Sequence, residues 1–219
     1  VAGGGTNSLQ HTIRSMQMLA PHGVDAFLIV VPYYNKPTQD GLYSYFKAVA
    51  EATDLPIVLY NVPGRTGVNM TAETTLRLAH ATEKIVAVKE ASGDIEQMQR
   101  IIDGRPADFL VLSGDDGITV ELIKRGGEGV ISVAANAFPE KFCHCVHNAL
   151  NGNIAEAEAE IVNLGEPIQL LFREGNPTGV KCMTAAMGIT KDEPRLPLVE
   201  GSAALRQDIE KAVATYELR

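Results

Sequence analysis

Short apolar runs alternate with polar loops and helical stretches along the first part of the chain. The runs are rich in Val, Ile, Leu and Ala and occupy residues 1–3, 26–31, 56–62, 84–91, 109–114 and 129–135. They recur roughly every 20 to 30 residues, which is the spacing of consecutive strand–helix units. Runs that are apolar at nearly every position are typical of parallel strands buried on both faces. The pattern therefore predicts an α/β fold built on a parallel sheet.

Helical periodicity fills the segments between the runs, most clearly at 42–52 and 71–81. Thr71 is the expected N-cap of the second helix because its hydroxyl can accept a bond from a free backbone N–H of the first turn. After residue 135 the strand-like runs stop, and the remaining pattern is helical. We predict an α/β catalytic domain at 1–150 and a helical domain at 151–219.

Six parallel units suit either a doubly wound sheet or most of a (β/α)8 barrel. Polar and glycine residues follow several of the runs: Tyr33 and Tyr34, Tyr60 to Arg65, Lys89 and Glu90, Gly114 to Asp116. Barrel active sites are built from the carboxyl ends of several different strands. A doubly wound sheet would be expected to carry a glycine-rich phosphate turn, and GGGTNS at 3–8 lacks the Lys-Ser/Thr of a Walker motif. The sequence favours the TIM (β/α)8 barrel.

Composition narrows the classes of partner. The chain has 219 residues and a formal net charge of −8 with no basic block, which argues against nucleic acid and against an anionic membrane. The longest apolar run, 26–32, is too short to span a bilayer. Three cysteines cannot form a complete disulfide framework, and this favours a reducing, cytoplasmic setting.

Lys89 is the strongest candidate for chemistry. It interrupts the strand-like run VAVKEASG and shares a strand face with Ala87. Desolvation there would lower the pKa of the amine, and a neutral amine can attack a ketone to form a Schiff base. The alternative is a strand-end lysine that reaches solvent or pairs with Glu90.

Two further residues could serve the same site. Tyr60 ends the run PIVLY, where its phenol could pass protons beside Lys89, although taken alone this position is better explained by a core tyrosine with a bonded hydroxyl. Arg65 follows on the same rim and suits a bidentate grip on a carboxylate, or else a surface ion pair. Cys143, Cys145 and His147 suggest metal by type, but their helical spacing turns Cys145 away from the other two, and no metal site is predicted.

Six segments in one order resemble the dihydrodipicolinate synthases, members of the pyruvate-dependent class I aldolase superfamily that includes N-acetylneuraminate lyase. The segments are PYYNKPTQDGLYSYFKAVA (32–50), LYNVPGRTG (59–67), VKEASG (88–93), LSGDD (112–116), GGEGVISV (126–133) and EGNPTGVK (174–181). The resemblance extends over nearly the whole chain. NVPGRTG is its discriminating element, since the arginine there marks the synthase branch.

The resemblance implies a role for each matching residue. Lys89 matches the Schiff-base lysine, Tyr60 the proton-relay tyrosine, and Tyr34 a tyrosine that reaches across a tight dimer interface. Arg65 matches the arginine that holds the semialdehyde substrate. Ile131 and Gly114 match residues beside the bound pyruvate.

A regulatory lysine site is also implied at the dimer interface. Asn7 and Tyr33 match two of its members. Position 11 is His where lysine-sensitive members often have an acid, which weakens the case for inhibition by lysine.

The implied activity is condensation of pyruvate with L-aspartate 4-semialdehyde to give 4-hydroxy-tetrahydrodipicolinate, in lysine and diaminopimelate biosynthesis. It needs no cofactor and no metal, and the expected assembly is a homotetramer, a dimer of dimers. Another pyruvate-dependent aldolase, acting on N-acetylneuraminate or a 2-keto-3-deoxy sugar acid, is the alternative.

Family members carry two further strand–helix units ahead of the run at 1–3. The second of these ends in a threonine motif that binds the pyruvate carboxylate. We therefore expect that the chain contains strands 3 to 8 of the barrel and lacks the first two units. An inactive fragment or assembly subunit is a third interpretation.

Overall fold

A computed structural model describes residues 1–218. The chain forms two compact units, the first comprising Val1–Gly114 and Arg125–Ile131, the second comprising Asp115–Lys124 and the chain from Ser132 onward. The predicted domain boundary between residues 150 and 151 stays a prediction.

The first unit contains six parallel strands that form a curled half-barrel sheet. The strands are β1 (Ala2–Gly3), β2 (Phe27–Val30), β3 (Ile57–Asn61), β4 (Ile85–Glu90), β5 (Leu110–Ser113) and β6 (Gly129–Val130). Their spatial order follows the chain order from β1 to β6. A doubly wound sheet would reverse direction at a switch point, so the sequential order is that of a barrel-type sheet.

Helices follow the strands in the first unit. They are α1 (Leu9–Leu19), α2 (Gln39–Glu51), α3 (Pro63–Thr66), α4 (Ala72–Ala81) and α5 (Ile95–Gly104). Thr71 caps α4 as predicted, with its Oγ1 accepting a bond from Thr74 N at 3.3 Å. Asp94 caps α5 in the same way through Gln97 N at 2.9 Å. These caps start the two helices immediately after the loops that follow β3 and β4.

The second unit is helical. It contains α6 (Thr119–Lys124), α7 (Pro139–Leu150), α8 (Ile154–Asn163), α9 (Gly165–Leu170), α10 (Thr178–Ala186) and α11 (Ala203–Thr215). Among residues 1–218, no helix has the length and apolar character needed to cross a bilayer.

The sixth strand is shorter than its apolar run. The run extends to residue 135, but the strand ends at Val130 and a 3-10 turn occupies Ala134–Asn136. The N–H groups of Val133 and Ala134 donate to the buried carboxylate of Asp116 at 3.1 and 2.9 Å. Because these amides bond to a side chain, they do not continue the sheet ladder.

Candidate active site

Tyr60 and Lys89 lie side by side at the carboxyl ends of β3 and β4. They are directly paired in the parallel register, so their side chains share one face of the sheet. Lys89 Nζ lies 4.3 Å from the centroid of the Tyr60 ring, and both residues are half-buried. The negative face of the ring attracts the ammonium form of the lysine. The structure thus brings together the two residues that the sequence singled out for Schiff-base chemistry.

The environment of Tyr60 favours a protonated phenol. Desolvation by burial raises the pKa of Tyr60 above its ordinary value of 10.0, and the positive charge of Arg65 partly opposes that rise. Arg65 lies on α3, the single helical turn that follows β3, and its side chain is exposed. A neutral phenol beside an amine, with a guanidinium near enough to affect its titration, can donate a proton to a substrate oxygen.

Gly114 leaves room for the lysine side chain. A Cβ at this position would lie 2.6 Å from Ala91 Cβ and 3.1 Å from Lys89 Cε, both closer than ordinary contacts. Ile131 continues the line of β6, and its N–H donates to Ser113 O at 2.9 Å. Because Ser113 pairs with Val130, the next residues on the two strands, Gly114 and Ile131, lie level with one another. Gly114 therefore lies beside Lys89, and Ile131 lies beside Gly114, one strand further along the same rim.

Tyr34 does not pack onto this pair within the chain. Its side chain is 88% exposed, and its backbone has a φ of 72°, an unusual value for a residue other than glycine. Its N–H donates to Thr66 O at 3.4 Å, so the loop after β2 lies against α3. Tyr33 is 41% exposed. The carbonyl of Asn7 accepts a bond from Asn35 Nδ2 at 3.0 Å, which places Asn7 beside the same loop.

The opposite face of the sheet carries polar residues that the sequence analysis did not select. Asn61 and Glu90 have no exposed surface, and Glu90 accepts bonds from Asn61, Ser92 and Gln97. Each directly follows a site residue, Tyr60 or Lys89, along its strand. The sequence contained a signal for this cluster: a polar residue immediately follows each of the two candidate positions, Tyr60 and Lys89.

The predicted absence of a metal site at the cysteines of α7 stays a prediction. Cys145 is fully buried, its Sγ donates to Ala157 O at 3.4 Å, and burial raises the pKa of its thiol to about 11. Cys143 is exposed on the same helix. One group of possible ligands among residues 1–218 consists of His144, Glu156 and Glu160. Two of its members are already joined by a hydrogen bond, with His144 Nδ1 and Glu160 Oε1 2.6 Å apart.

Comparison with known proteins shows the family of this sequence. The model of the dihydrodipicolinate synthetase family matches residues 1–216. The chain belongs to the dihydrodipicolinate synthetase family.

Relatives of the dihydrodipicolinate synthetase family resemble the chain closely. It is 56% identical to the 4-hydroxy-tetrahydrodipicolinate synthase of Phocaeicola vulgatus over 194 residues, 89% of this chain and 64% of that protein. The crystal structure of dihydrodipicolinate synthase from Thermotoga maritima superposes with a TM-score of 0.97 at 39% identity, covering 99% of this chain and 75% of that one. A structure of the Acinetobacter baumannii enzyme complexed with pyruvate gives a TM-score of 0.95 at 38% identity, covering 99% and 74%. The chain thus spans about two thirds to three quarters of the length of these relatives.

Proposed function

We propose that the chain carries the Schiff-base chemistry of 4-hydroxy-tetrahydrodipicolinate synthase, a lyase that condenses pyruvate with L-aspartate 4-semialdehyde. The observation that carries the proposal is the amine of Lys89 lying 4.3 Å from the centre of the Tyr60 ring. The name of the Phocaeicola vulgatus relative and the pyruvate in the Acinetobacter baumannii complex support the choice of substrates.

In the proposed mechanism, the ammonium form of Lys89 first gives up a proton to water, and the neutral amine attacks the ketone carbon of pyruvate. A molecule of water then leaves as the imine forms. Loss of a proton from the pyruvate methyl group gives an enamine, which attacks the aldehyde carbon of the semialdehyde. The new alkoxide takes up a proton. The amino group of the semialdehyde then displaces Lys89 from the imine carbon, which closes the six-membered ring and returns the free amine.

Tyr60 supplies and accepts the protons of these steps. A phenol of ordinary pKa is already protonated at neutral pH, and burial, which raises the pKa of Tyr60 further, leaves it in the acid form that a proton donor requires. Arg65, exposed on α3, holds the carboxylate of the semialdehyde. The space left by Gly114, together with the backbone of Ile131, accommodates the pyruvate.

Assembly and fold complete the proposal. We infer that the six strands belong to a (β/α)8 barrel, and that Tyr34 acts in a neighbouring copy within a homotetramer of two tight dimers. The exposure of the Tyr34 side chain and its left-handed backbone support an interface role. A lysine-binding role for Asn7 and Tyr33 and a cytoplasmic setting stay predictions.

The test is trapping of the imine. The chain is incubated with pyruvate and reduced with borohydride, and the modified peptide is identified by mass spectrometry. We expect one reduced pyruvyl adduct, on Lys89, and none in Lys89→Arg. Lys84→Arg, at the position immediately before the same strand, is the matched control and is expected to trap as the wild type does.

A folded sample that forms no adduct on Lys89 would reject the proposal. Turnover is then compared between L-aspartate 4-semialdehyde and the aldehydes released from sugar acids. Consumption of the semialdehyde with pyruvate is expected. Trapping combined with turnover of sugar-derived aldehydes only would move the chain to the aldolase alternative.

A further inference from the structure

A buried polar cluster lies directly behind the Tyr60–Lys89 pair. We define the amide–carboxylate cluster as Asn61, Asn69, Glu90 and Gln97. Asn61 and Glu90 are fully buried and Gln97 is 2% exposed. Asn61 and Glu90 are paired in the register of β3 and β4, one step beyond Tyr60 and Lys89. Successive side chains of a strand point to opposite faces, so the cluster occupies the face away from the amine.

Every oxygen of Glu90 faces donors. Oε1 accepts bonds from Ser92 N at 2.8 Å and Asn61 Nδ2 at 3.1 Å. Oε2 accepts bonds from Asn61 Nδ2 at 3.0 Å and Gln97 Nε2 at 3.1 Å. The carboxylate therefore joins the end of β3, the turn after β4 and the first turn of α5. Asn69 adds to this connection through its Nδ2, which donates to Gln97 Oε1 at 2.9 Å.

The orientation of Asn61 is fixed independently of Glu90. Its Oδ1 accepts a bond from Met70 N at 3.0 Å, and its Nδ2 also donates to Met70 O at 3.2 Å. Turning the amide over would place Nδ2 against the Met70 N–H and Oδ1 against the Met70 carbonyl. The two hydrogens of Asn61 Nδ2 are therefore shared among four acceptors, namely the two Glu90 oxygens, Met70 O and Asn69 Oδ1 at 2.7 Å, and Asn61 cannot exchange this donor role.

Stability alone is a poor explanation for this arrangement. A buried carboxylate is costly, and well-packed apolar side chains often stabilise a core as well or better. Desolvation raises the pKa of Glu90 in spite of the four donor contacts that lower it. The cluster fixes geometry at the point where two strands must present neighbouring side chains to one substrate.

We propose that Glu90 is a positioning residue that ties the carboxyl ends of β3 and β4 together through Asn61 and Ser92 N, and so holds the Lys89 amine over the Tyr60 ring. The inference rests on the proposed function of Lys89. It assigns Glu90 no contact with substrate. A shift of about 1 Å in a reacting group can reduce a rate about 100-fold, so a small relaxation of this tie would be measurable.

Glu90→Gln tests the tie with almost no change in shape. In either orientation the new amide nitrogen faces Asn61 Nδ2, so one donor lies against another. We expect imine formation at saturating pyruvate to slow about 10- to 100-fold, while the half-saturating pyruvate concentration changes less than about 3-fold. Glu90→Asp keeps only acceptors at a shorter reach and is expected to restore part of the rate.

Ile101→Val is the matched control for loss of stability. Ile101 is fully buried on α5, one turn beyond Gln97, and lies outside the cluster. All rates are measured on samples shown to be folded. If Glu90→Gln traps at the wild-type rate, or is slowed no more than Ile101→Val, the positioning role is wrong while the proposed function stands.

A measurement without activity separates the two proposals. In crystal structures of the wild type and of Glu90→Gln, we expect the distance from Lys89 Nζ to the Tyr60 ring centroid, which is 4.3 Å here, to be longer in the variant than in the wild type. An unchanged distance would overturn the positioning role. This readout decides even if the wild type forms no imine, an outcome that would reject only the proposed function.

Discussion

The two faces of the sheet use alternate residues of the same strands but bury them to different degrees. One face contacts the helices and has no exposed surface along its central strands, at Ile29, Leu59, Val88 and Val111. The other face is half-buried at the level of the site, at Val30, Tyr60, Lys89 and Leu112. One register therefore places a fully buried apolar layer directly behind a layer that is partly exposed.

Along β3 and β4, the two faces differ in burial and polarity mainly near the carboxyl ends of the strands. Lower on the accessible face, Val58 and Ala87 are 6% and 2% exposed, so this face also begins as core. At the carboxyl ends the apolar layer gives way to Asn61 and Glu90, both without exposed surface. In the lower part of β3 and β4 both faces are apolar and largely buried, and the polar residues lie at the ends that carry the candidate site.

The largest expected effect comes from Tyr60→Phe, which keeps the ring beneath the amine and removes the hydroxyl. We expect turnover of pyruvate and semialdehyde to fall about 10²- to 10⁴-fold, because proton transfer loses its donor. The free energy of unfolding is expected to change little. Steady-state kinetics and urea unfolding measure both, and wild-type turnover in this variant would remove Tyr60 from the proton relay.

Leu59→Ala changes the neighbouring residue on the packed face. We expect a loss of about 2–5 kcal/mol in the free energy of unfolding, since a fully buried leucine is replaced by a cavity. Imine trapping per folded molecule should stay within about 3-fold of the wild type, because the substrate side of β3 is unchanged. A large loss of trapping in a folded sample would show that packing on the buried face and imine formation on the opposite face are not independent.

Gly114→Ala crowds the accessible face. The new Cβ would meet Ala91 Cβ at 2.6 Å and Lys89 Cε at 3.1 Å, and we expect imine trapping to slow about 10-fold or more. Gly165→Ala is the control, since a Cβ there meets nothing within 4 Å. Adding Ala91→Gly removes the nearest obstacle and should recover part of the rate. If the double variant traps no faster than Gly114→Ala, the contact with Ala91 Cβ is not the cause of the slower trapping.

The smallest effect concerns the pH dependence of stability. Burial raises the pKa of Glu90 in the folded state above its ordinary value of 4.5, so the folded protein holds this proton more tightly than the unfolded chain. This contribution is fully present below that ordinary value and is lost as the pH rises through the folded-state pKa. Relative to Glu90→Gln, the wild type should therefore lose unfolding free energy over that interval.

Urea unfolding at a series of pH values measures this difference. Ile101→Val lowers stability without removing a titrating group, so its difference from the wild type should not vary with pH. A difference between wild type and Glu90→Gln that is equally flat would contradict a raised pKa for Glu90.

Local pattern was sufficient to locate the elements. Each of the six apolar runs contains a strand, and the helix predicted at 71–81 forms at Ala72–Ala81 behind its Thr71 cap. Strand burial and helix capping depend on nearby residues, so they leave a signal in sequence. The run at 129–135 differs in that its strand ends early, at Val130. The N–H groups of Val133 and Ala134 bond instead to the carboxylate of Asp116, which is distant in sequence.

The sequence by itself determined the chemistry that is available: a lysine and a tyrosine at the ends of apolar runs, an arginine in the loop after the tyrosine and a glycine at the end of the run that follows the lysine. Only the tertiary structure decided that Tyr60 pairs with Lys89, that Glu90 meets Asn61 and Gln97 in a buried cluster, and that Tyr34 stays exposed. The physical reason is that strand register joins segments about 30 residues apart. Such pairing depends on the packing of the whole sheet, and no single segment encodes it.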